Sequence, residues 1–327
     1  MMTDARKTVA VIVPFLNEKE NLPVMVERLK AAMAGAPERL EMVFVDDGST
    51  DGSAELIAGM AREEEGITLL RLSRNFGHQI AITAGLDYVD ADAVAVIDAD
   101  LQDPPEVIPE MLAKWREGNE VVYAVRRSRE GETWLKKFLA ASFYRIFHGM
   151  AKIKVPMDTG DFRVVDRKVV EAMKQVRELH RFMRGLTTWV GFRQCAVYYE
   201  RAARHAGTTK YPVWKSAKLA WDAITSFSGA PLRWMMGAGV VVSVGGLLLA
   251  ARLVWGKLFG IAETVPGWTS QTTLLLLLSG IQLMCLGLLG QYVSRLFEES
   301  KKRPLYFVSE VVRGRCPADR EGVRSRP

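Results

Sequence analysis

A chain of 327 residues, 49% of them apolar, can bury one large core or two modest ones. Its formal charge of +6 comes without a helix-turn-helix, zinc-finger or RNP signature, which argues against nucleic acid as a partner. The three cysteines, Cys195, Cys285 and Cys316, lack metal-ligand spacing, and Cys285 sits inside an apolar run. That pattern argues against a disulfide framework and points to a reducing compartment.

In chain order, Thr8 to Pro14 reads as a buried strand, preceded by Asp4, Arg6 and Lys7 rather than the apolar stretch of a secretory leader. Asn17 and Glu20 have the spacing of a capping box, which predicts a helix through Met33. A second strand, Leu40 to Val45, closes in Asp46, Asp47 and Gly48; helix Ser53 to Arg62 and strand Ile67 to Leu72 follow. Gln79 to Tyr88 reads as helix, Val94 to Ile97 as a central buried strand, Pro105 to Trp115 as helix and Glu120 to Val125 as a fifth strand. This alternation predicts an α/β fold with right-handed crossovers and a mainly parallel sheet flanked by helices.

Beyond the fifth strand the pattern changes. Residues 132–148 carry Trp134, Leu135, Phe138, Leu139, Phe143, Ile146 and Phe147 at helical spacing beside Lys136, Lys137 and Arg145. That face suits a membrane interface or an ordinary core equally. A second amphipathic segment, 212–233, leads into the apolar runs Met235–Trp255 and Thr272–Val293. Each run has about 21 or 22 residues, or ~31–33 Å of helix, enough for a ~30 Å hydrocarbon core. Two transmembrane helices are therefore expected within 234–296. Lys215, Lys218 and Arg233 precede the first and Arg295, Lys301, Lys302 and Arg303 follow the second. The positive-inside rule then places both termini, the 1–211 domain and a basic tail at 297–327 in the cytoplasm. The basic flanks also suit an anionic membrane surface.

The chemistry gathers at predicted strand ends. VAVIDADLQDPPE ends a buried strand in Asp98, Asp100 and Asp103. Open α/β sheets bind ligands at the carboxyl ends of their strands. Two aspartates one residue apart there are hard oxygen ligands for Mg²⁺ or Mn²⁺, and such a cation can hold a diphosphate. The alternative for D-x-D alone, or for the DDG at Asp46 to Gly48, is a solvated turn. The first strand ends in Pro14, Phe15, Leu16, Asn17 and Glu18 and the fifth in Arg126 and Arg127, so several like charges share one rim and need neutralising. A P-loop and a G-x-G-x-x-G are both missing.

PFLNEKENLP, VFVDDGSTDGS, RLSRNFGHQIAITAGLDYV and VIDADLQDPPE together resemble family 2 glycosyltransferases of the GT-A fold, in the polyprenyl-phosphate subgroup. TGDFRVVDRKVVEAM, AGTTKY and GQYVSRLFEESKKRPLYFV extend the likeness to about Val308. The resemblance implies that Pro14, Leu16, Glu18, Val45 and Asp47 hold the nucleoside. It implies that Asp98, Ala99, Asp100 and Gln102 take diphosphate and metal, with Arg126, Arg204 and Lys210 on phosphates. Family members often carry an aromatic where Leu16 stands. Asp161 matches the position assigned as catalytic, with Asp100 supporting the leaving group through its metal. Its alternative is a loop aspartate capping a turn. Arg181 and Arg184, beside His180, suit an acceptor phosphate or a solvated helix face equally. Arg204 and Lys210 fall in a loop without apolar periodicity, which suits a lid.

The activity this resemblance implies is metal-dependent, inverting transfer of one sugar from a nucleotide sugar, UDP-glucose first, to undecaprenyl or another polyprenyl phosphate on the cytoplasmic face of a bacterial inner membrane. Other donors (GDP-mannose, UDP-N-acetylglucosamine, a UDP-aminoarabinose derivative) stay open, as does assembly into homo-oligomers. A processive polysaccharide synthase fits less well, because Q-x-x-R-W and further spans are missing. A non-enzymatic membrane scaffold is opposed by the presence of Asp98, Asp100, Asp161, Arg204 and Lys210.

Overall fold

The computed structural model describes residues 6–126, 159–179, 181–200, 230–259 and 267–314. The amphipathic segment at 132–148, most of that at 212–233, Arg127, His180, Arg204, Lys210, and the tail from 315 lie outside the described residues. The chain divides into two compact units, one formed by 1–144, 153–211 and 304–327, the other by 145–152 and 212–303.

The first unit is built on a single sheet. Strands β1 (Thr8–Phe15), β2 (Arg39–Asp46), β3 (Ile67–Leu72), β4 (Ala93–Val96) and β5 (Val121–Arg126) are followed by β6 (Thr159–Asp166), β7 (Gln194–Tyr199) and β8 (Val308–Arg313). Their order is β7-β5-β6-β4-β1-β2-β3-β8. β1 pairs in parallel with both β2 and β4, β2 with β3, and β5 with β7. The chain therefore leaves β1 toward β2 and β3, then returns to lay β4 on β1's other side. This is a topological switch point, where open α/β sheets form their ligand crevice. β6 runs antiparallel between β4 and β5, and β8 antiparallel along β3.

Helices α1 (Leu22–Met33), α2 (Ser53–Glu63), α3 (His78–Tyr88), α4 (Ile108–Arg116), α5 (Arg167–Gln175) and α6 (Met183–Trp189) complete this unit. One core cluster joins Val9, Val11 and Val13 of β1 to Leu22, Met25 and Leu29 of α1 and Met111, Leu112 and Trp115 of α4. α3 packs closely against β1 and β2, because a Cβ on Gly85 would stand 2.5 Å from Ile12 Cγ2.

Three boundaries depart from expectation. Asn17 does not cap α1: it is in the left-handed region (φ 56°), and its Oδ1 accepts the Thr50 N–H at 2.8 Å. The turn into α1 is closed instead by Glu18, whose carbonyl accepts the Asn21 and Leu22 N–H groups and whose carboxylate accepts Asn21 Nδ2 at 2.6 Å. Pro105–Val107 is a 3₁₀ turn ahead of α4. The expected tail at 297–327 is sheet in part, since Val308–Arg313 forms β8.

The second unit contains the long helices α7 (Ala230–Leu258) and α8 (Trp268–Ser300), of 29 and 33 residues. They leave Val241, Leu247, Leu283 and Met284 exposed. Among the described residues no helix is long and apolar enough to cross a membrane. The two transmembrane helices expected within 234–296 are therefore not supported among the described residues.

Candidate active site

Pairing register builds the site. β4 and β6 are matched Val94 to Val165, Ala95 to Val164 and Val96 to Arg163. Two residues further along that register, Asp98 stands opposite Asp161. β6 is antiparallel, so its beginning lies at the rim where β4 and β5 end. Asp161 is thus brought to the aspartates of the β4 end by strand pairing.

His78 and Gln79, at the start of α3, fill the space between. His78 Nε2 lies 3.4 Å from Asp98 Oδ1 and 3.4 Å from Asp161 Oδ2. Gln79 Nε2 donates to Asp161 Oδ2 at 3.1 Å. Arg184, from the first turn of α6, grips the same carboxylate with two donors, Nε to Oδ1 at 3.0 Å and Nη2 to Oδ2 at 3.3 Å. Beneath them Arg163 is buried and donates to Gly160 O at 3.0 Å and Thr187 Oγ1 at 2.7 Å. Its Nη2 is 3.8 Å from Asp161 Oδ1.

The charges follow from this packing. Burial alone would raise the Asp161 carboxyl, but His78, Arg184 and Arg163 hold it well below the usual carboxylate range. Burial pushes Arg163 down to about 10 against the pull of Asp161. Desolvation, with Asp161, Asp103 and Asp100 nearby, pushes Asp98 up to about 6 even though His78 opposes it. Burial would lower His78; Asp161 and Asp98 outweigh it and raise the imidazole.

Of the expected residues, the structure brings together Asp98, Asp161 and Arg184, with Arg126 ending the neighbouring strand β5. Asp100 Oδ1 accepts the Gln102 N–H at 3.2 Å, closing the turn after Asp98. Asp47 is buried, and its oxygens accept the Phe76 and Gly77 N–H groups at 2.7 and 3.0 Å, fixing the loop that leads into His78. Val45 has no exposed surface and Ala99 almost none, so only their backbone can meet a ligand. Pro14 is likewise buried, Leu16 is exposed, and Glu18 closes the turn into α1. Arg181 is buried and donates to the carbonyls of Val176 and Met173 at the end of α5.

Among the described residues no three His, Cys, Asp or Glu side chains converge as a ready metal centre. The donor set nevertheless fits a hard cation. Asp98 Oδ1 is buried without a hydrogen-bond donor, and Asp100 adds a second carboxylate. Mg²⁺ commonly binds through one or two carboxylates and completes its shell with water and substrate phosphates.

A family model described as glycosyl transferase family 2 matches residues 10–173. The chain belongs to glycosyl transferase family 2. Relatives of full length agree. It is 49% identical to the uncharacterized glycosyltransferase YkcC of Bacillus subtilis, over 92% of this chain and 93% of that one. It is 38% identical to the SfII prophage-derived bactoprenol glucosyl transferase of Shigella flexneri, over 94% and 99%. Among solved structures, mannosyl-3-phosphoglycerate synthase from Rubrobacter xylanophilus aligns over 71% of this chain and 75% of its own, at 21% identity and a TM-score of 0.47. The family-model match and the mainly parallel sheet together make the fold GT-A-like. Within this family 2 chain, sequence reasoning had not assigned His78 or Gln79. The available signal was their place just after Gly77, the N-cap glycine that opens α3 at φ 100°.

Proposed function

We propose that the protein transfers one sugar, with inversion, from a nucleotide sugar to a polyprenyl phosphate at the cytoplasmic face of a membrane, with UDP-glucose as the favoured donor. The single observation that carries the reading is the convergence of Asp98, His78, Asp161 and Arg184 at the sheet's switch point. The bactoprenol glucosyl transferase relatives support the lipid acceptor. The sequence runs at 235–255 and 272–293, the basic residues flanking them and the exposed apolar faces of α7 and α8 support a membrane location.

In the reaction an acceptor phosphate oxygen bonds to the anomeric carbon as the bond to the nucleoside diphosphate breaks. A phosphate monoester is already largely anionic at neutral pH, with a second pKa near ~6, so no strong general base is required. Asp98 and Asp100, with Gln102 beside them, are the residues that would hold Mg²⁺ or Mn²⁺. Such a cation, when bound, neutralises charge on the departing diphosphate. Asp161 holds His78, Gln79 and Arg184 in place, so cationic and donor groups face the phosphates without reorganising. Arg184 offers the acceptor phosphate a planar fork.

Membranes containing the full chain, given undecaprenyl phosphate and a panel of UDP-glucose, GDP-mannose and UDP-N-acetylglucosamine, test this directly. Lipid-linked glucose from UDP-glucose, abolished by EDTA and restored by Mn²⁺ or Mg²⁺, is the expected result. No lipid-linked product with any donor, or a rate indifferent to EDTA, would overturn it.

A further inference from the structure

A second polar cluster lies at the same rim and is not used above. Asp103 has no exposed surface. Its Oδ1 accepts the hydroxyl of Tyr199, the last residue of β7, and lies 3.8 Å from Arg126 Nη2. Arg126 Nε in turn donates to Tyr199 Oη at 3.2 Å. The three groups close a ring in which the phenol both donates and accepts, which phenylalanine cannot do.

Two packing features fix this ring. The Tyr199 ring meets the buried Phe162 ring edge-on, centroids 5.8 Å apart at 85°. Under the guanidinium lies Gly160, where a Cβ would stand 3.1 Å from Arg126 Nη2 and 3.7 Å from Asp103 Oδ2. The arginine therefore lies across a residue without a side chain, its plane set by Asp103 and Tyr199. Its side chain keeps 22% of its surface exposed, so the guanidinium is accessible while anchored. An arginine fork recognises phosphate through its plane, so fixing that plane removes an ordering cost from binding.

We infer that Tyr199 is a positioning residue, which with Asp103 sets the Arg126 guanidinium to receive the donor's diphosphate. The inference rests on the reading of this rim as a nucleotide-sugar site, and it extends the site to a strand beyond residue 173, where the family-model match ends.

The test uses the full-length protein in detergent, with UDP and MnCl₂ as the calorimetric probe and UDP-glucose turnover as the kinetic one. Tyr199→Phe is expected to raise the donor KM and the UDP dissociation constant about tenfold, the scale of one hydrogen bond to a charged group. The kcat should change far less. In an Arg126→Lys background, where no guanidinium plane exists, Tyr199→Phe should cost less than twofold. Gly160→Ala presses the same guanidinium from the other side without touching the phenol, and should raise the donor KM a few-fold. An unchanged KM in Tyr199→Phe or in Gly160→Ala would overturn the inference. So would an equal loss from Tyr199→Phe in the Arg126→Lys background, which marks plain structural damage. If the wild-type chain bound no UDP, the reading of the rim itself would fall, and this inference with it.

Discussion

Gln79 meets Asp161 with its amide in a determined orientation. Its Nε2 donates to the carboxylate at 3.1 Å, while its Oε1 accepts the Met183 N–H at 2.8 Å. Flipping the amide would set oxygen against carboxylate and N–H against N–H. Gln79→Glu puts a second carboxylate on Asp161 and removes the donor. We expect a loss of about 1–3 kcal/mol in stability and at least a tenfold fall in kcat, read by thermal denaturation and steady-state turnover.

Asp161→Asn tests what the buried carboxylate contributes to the fold. It removes the carboxylate beside Arg163, a buried guanidinium, and breaking a buried ion pair from one side typically costs about 3–5 kcal/mol; the retained amide and the carbonyl partners of Arg163 should bring the loss to the low end. The sign with pH is fixed. The folded-state carboxyl titrates below its unfolded value of about 4, so its stabilisation is complete above that pH and is lost as pH falls below it. Urea denaturation across pH 3 to 7 should show a steep acid limb in the wild type and a shallower one in Asp161→Asn. Identical limbs would remove Asp161 from the stability of the fold.

Gly85→Ala tests how α3 is seated. The added methyl would stand 2.5 Å from Ile12 Cγ2 and 3.2 Å from Val45 Cγ2, both on buried strands. Overpacking of this kind costs about 1–3 kcal/mol. Because α3 begins with His78 and Gln79, kcat should fall together with the melting temperature, although residue 85 lies two turns from the site.

Arg181→Ala should leave the acceptor KM unchanged, while lowering stability by about 1–3 kcal/mol through the uncapped carbonyls of Met173 and Val176. Arg184→Ala should raise the acceptor KM about tenfold and also lower stability, since it unpairs the buried Asp161 carboxylate. A lipid-phosphate titration of both variants distinguishes them.

These two arginines show where sequence reading stops. Three residues apart in HRFMRG, they have equal claims on a phosphate, and only the placement of the α5 end assigns one to carbonyls and the other to Asp161. The parallel strands β1 to β4 were legible because runs of Val, Ile, Leu and Ala fill them, and β2 and β4 run into aspartates. β6 was not, since TGDFRVVD interleaves polar and apolar residues and was read only as a motif or a loop. Its buried Asp161 and Arg163 neutralise each other, which allows charges in a central strand. The facing of Asp98 and Asp161 depends on antiparallel register, and nothing within either segment encodes it. Asp47 was correctly placed at a strand end, yet the partners of its carboxylate are backbone groups of a loop that follows the next strand.

The last strand has a consequence for how the molecule is made. β8 pairs with β3, Leu69 to Val312 and Leu70 to Val311, across more than two hundred residues of intervening chain. On the ribosome, β3 emerges early and must wait with an open hydrogen-bonding edge until both long helices have been synthesised. Folding of the sheet is thereby completed only after the rest of the polypeptide has been delivered, so a prematurely terminated product would display that edge and be marked for aggregation or degradation.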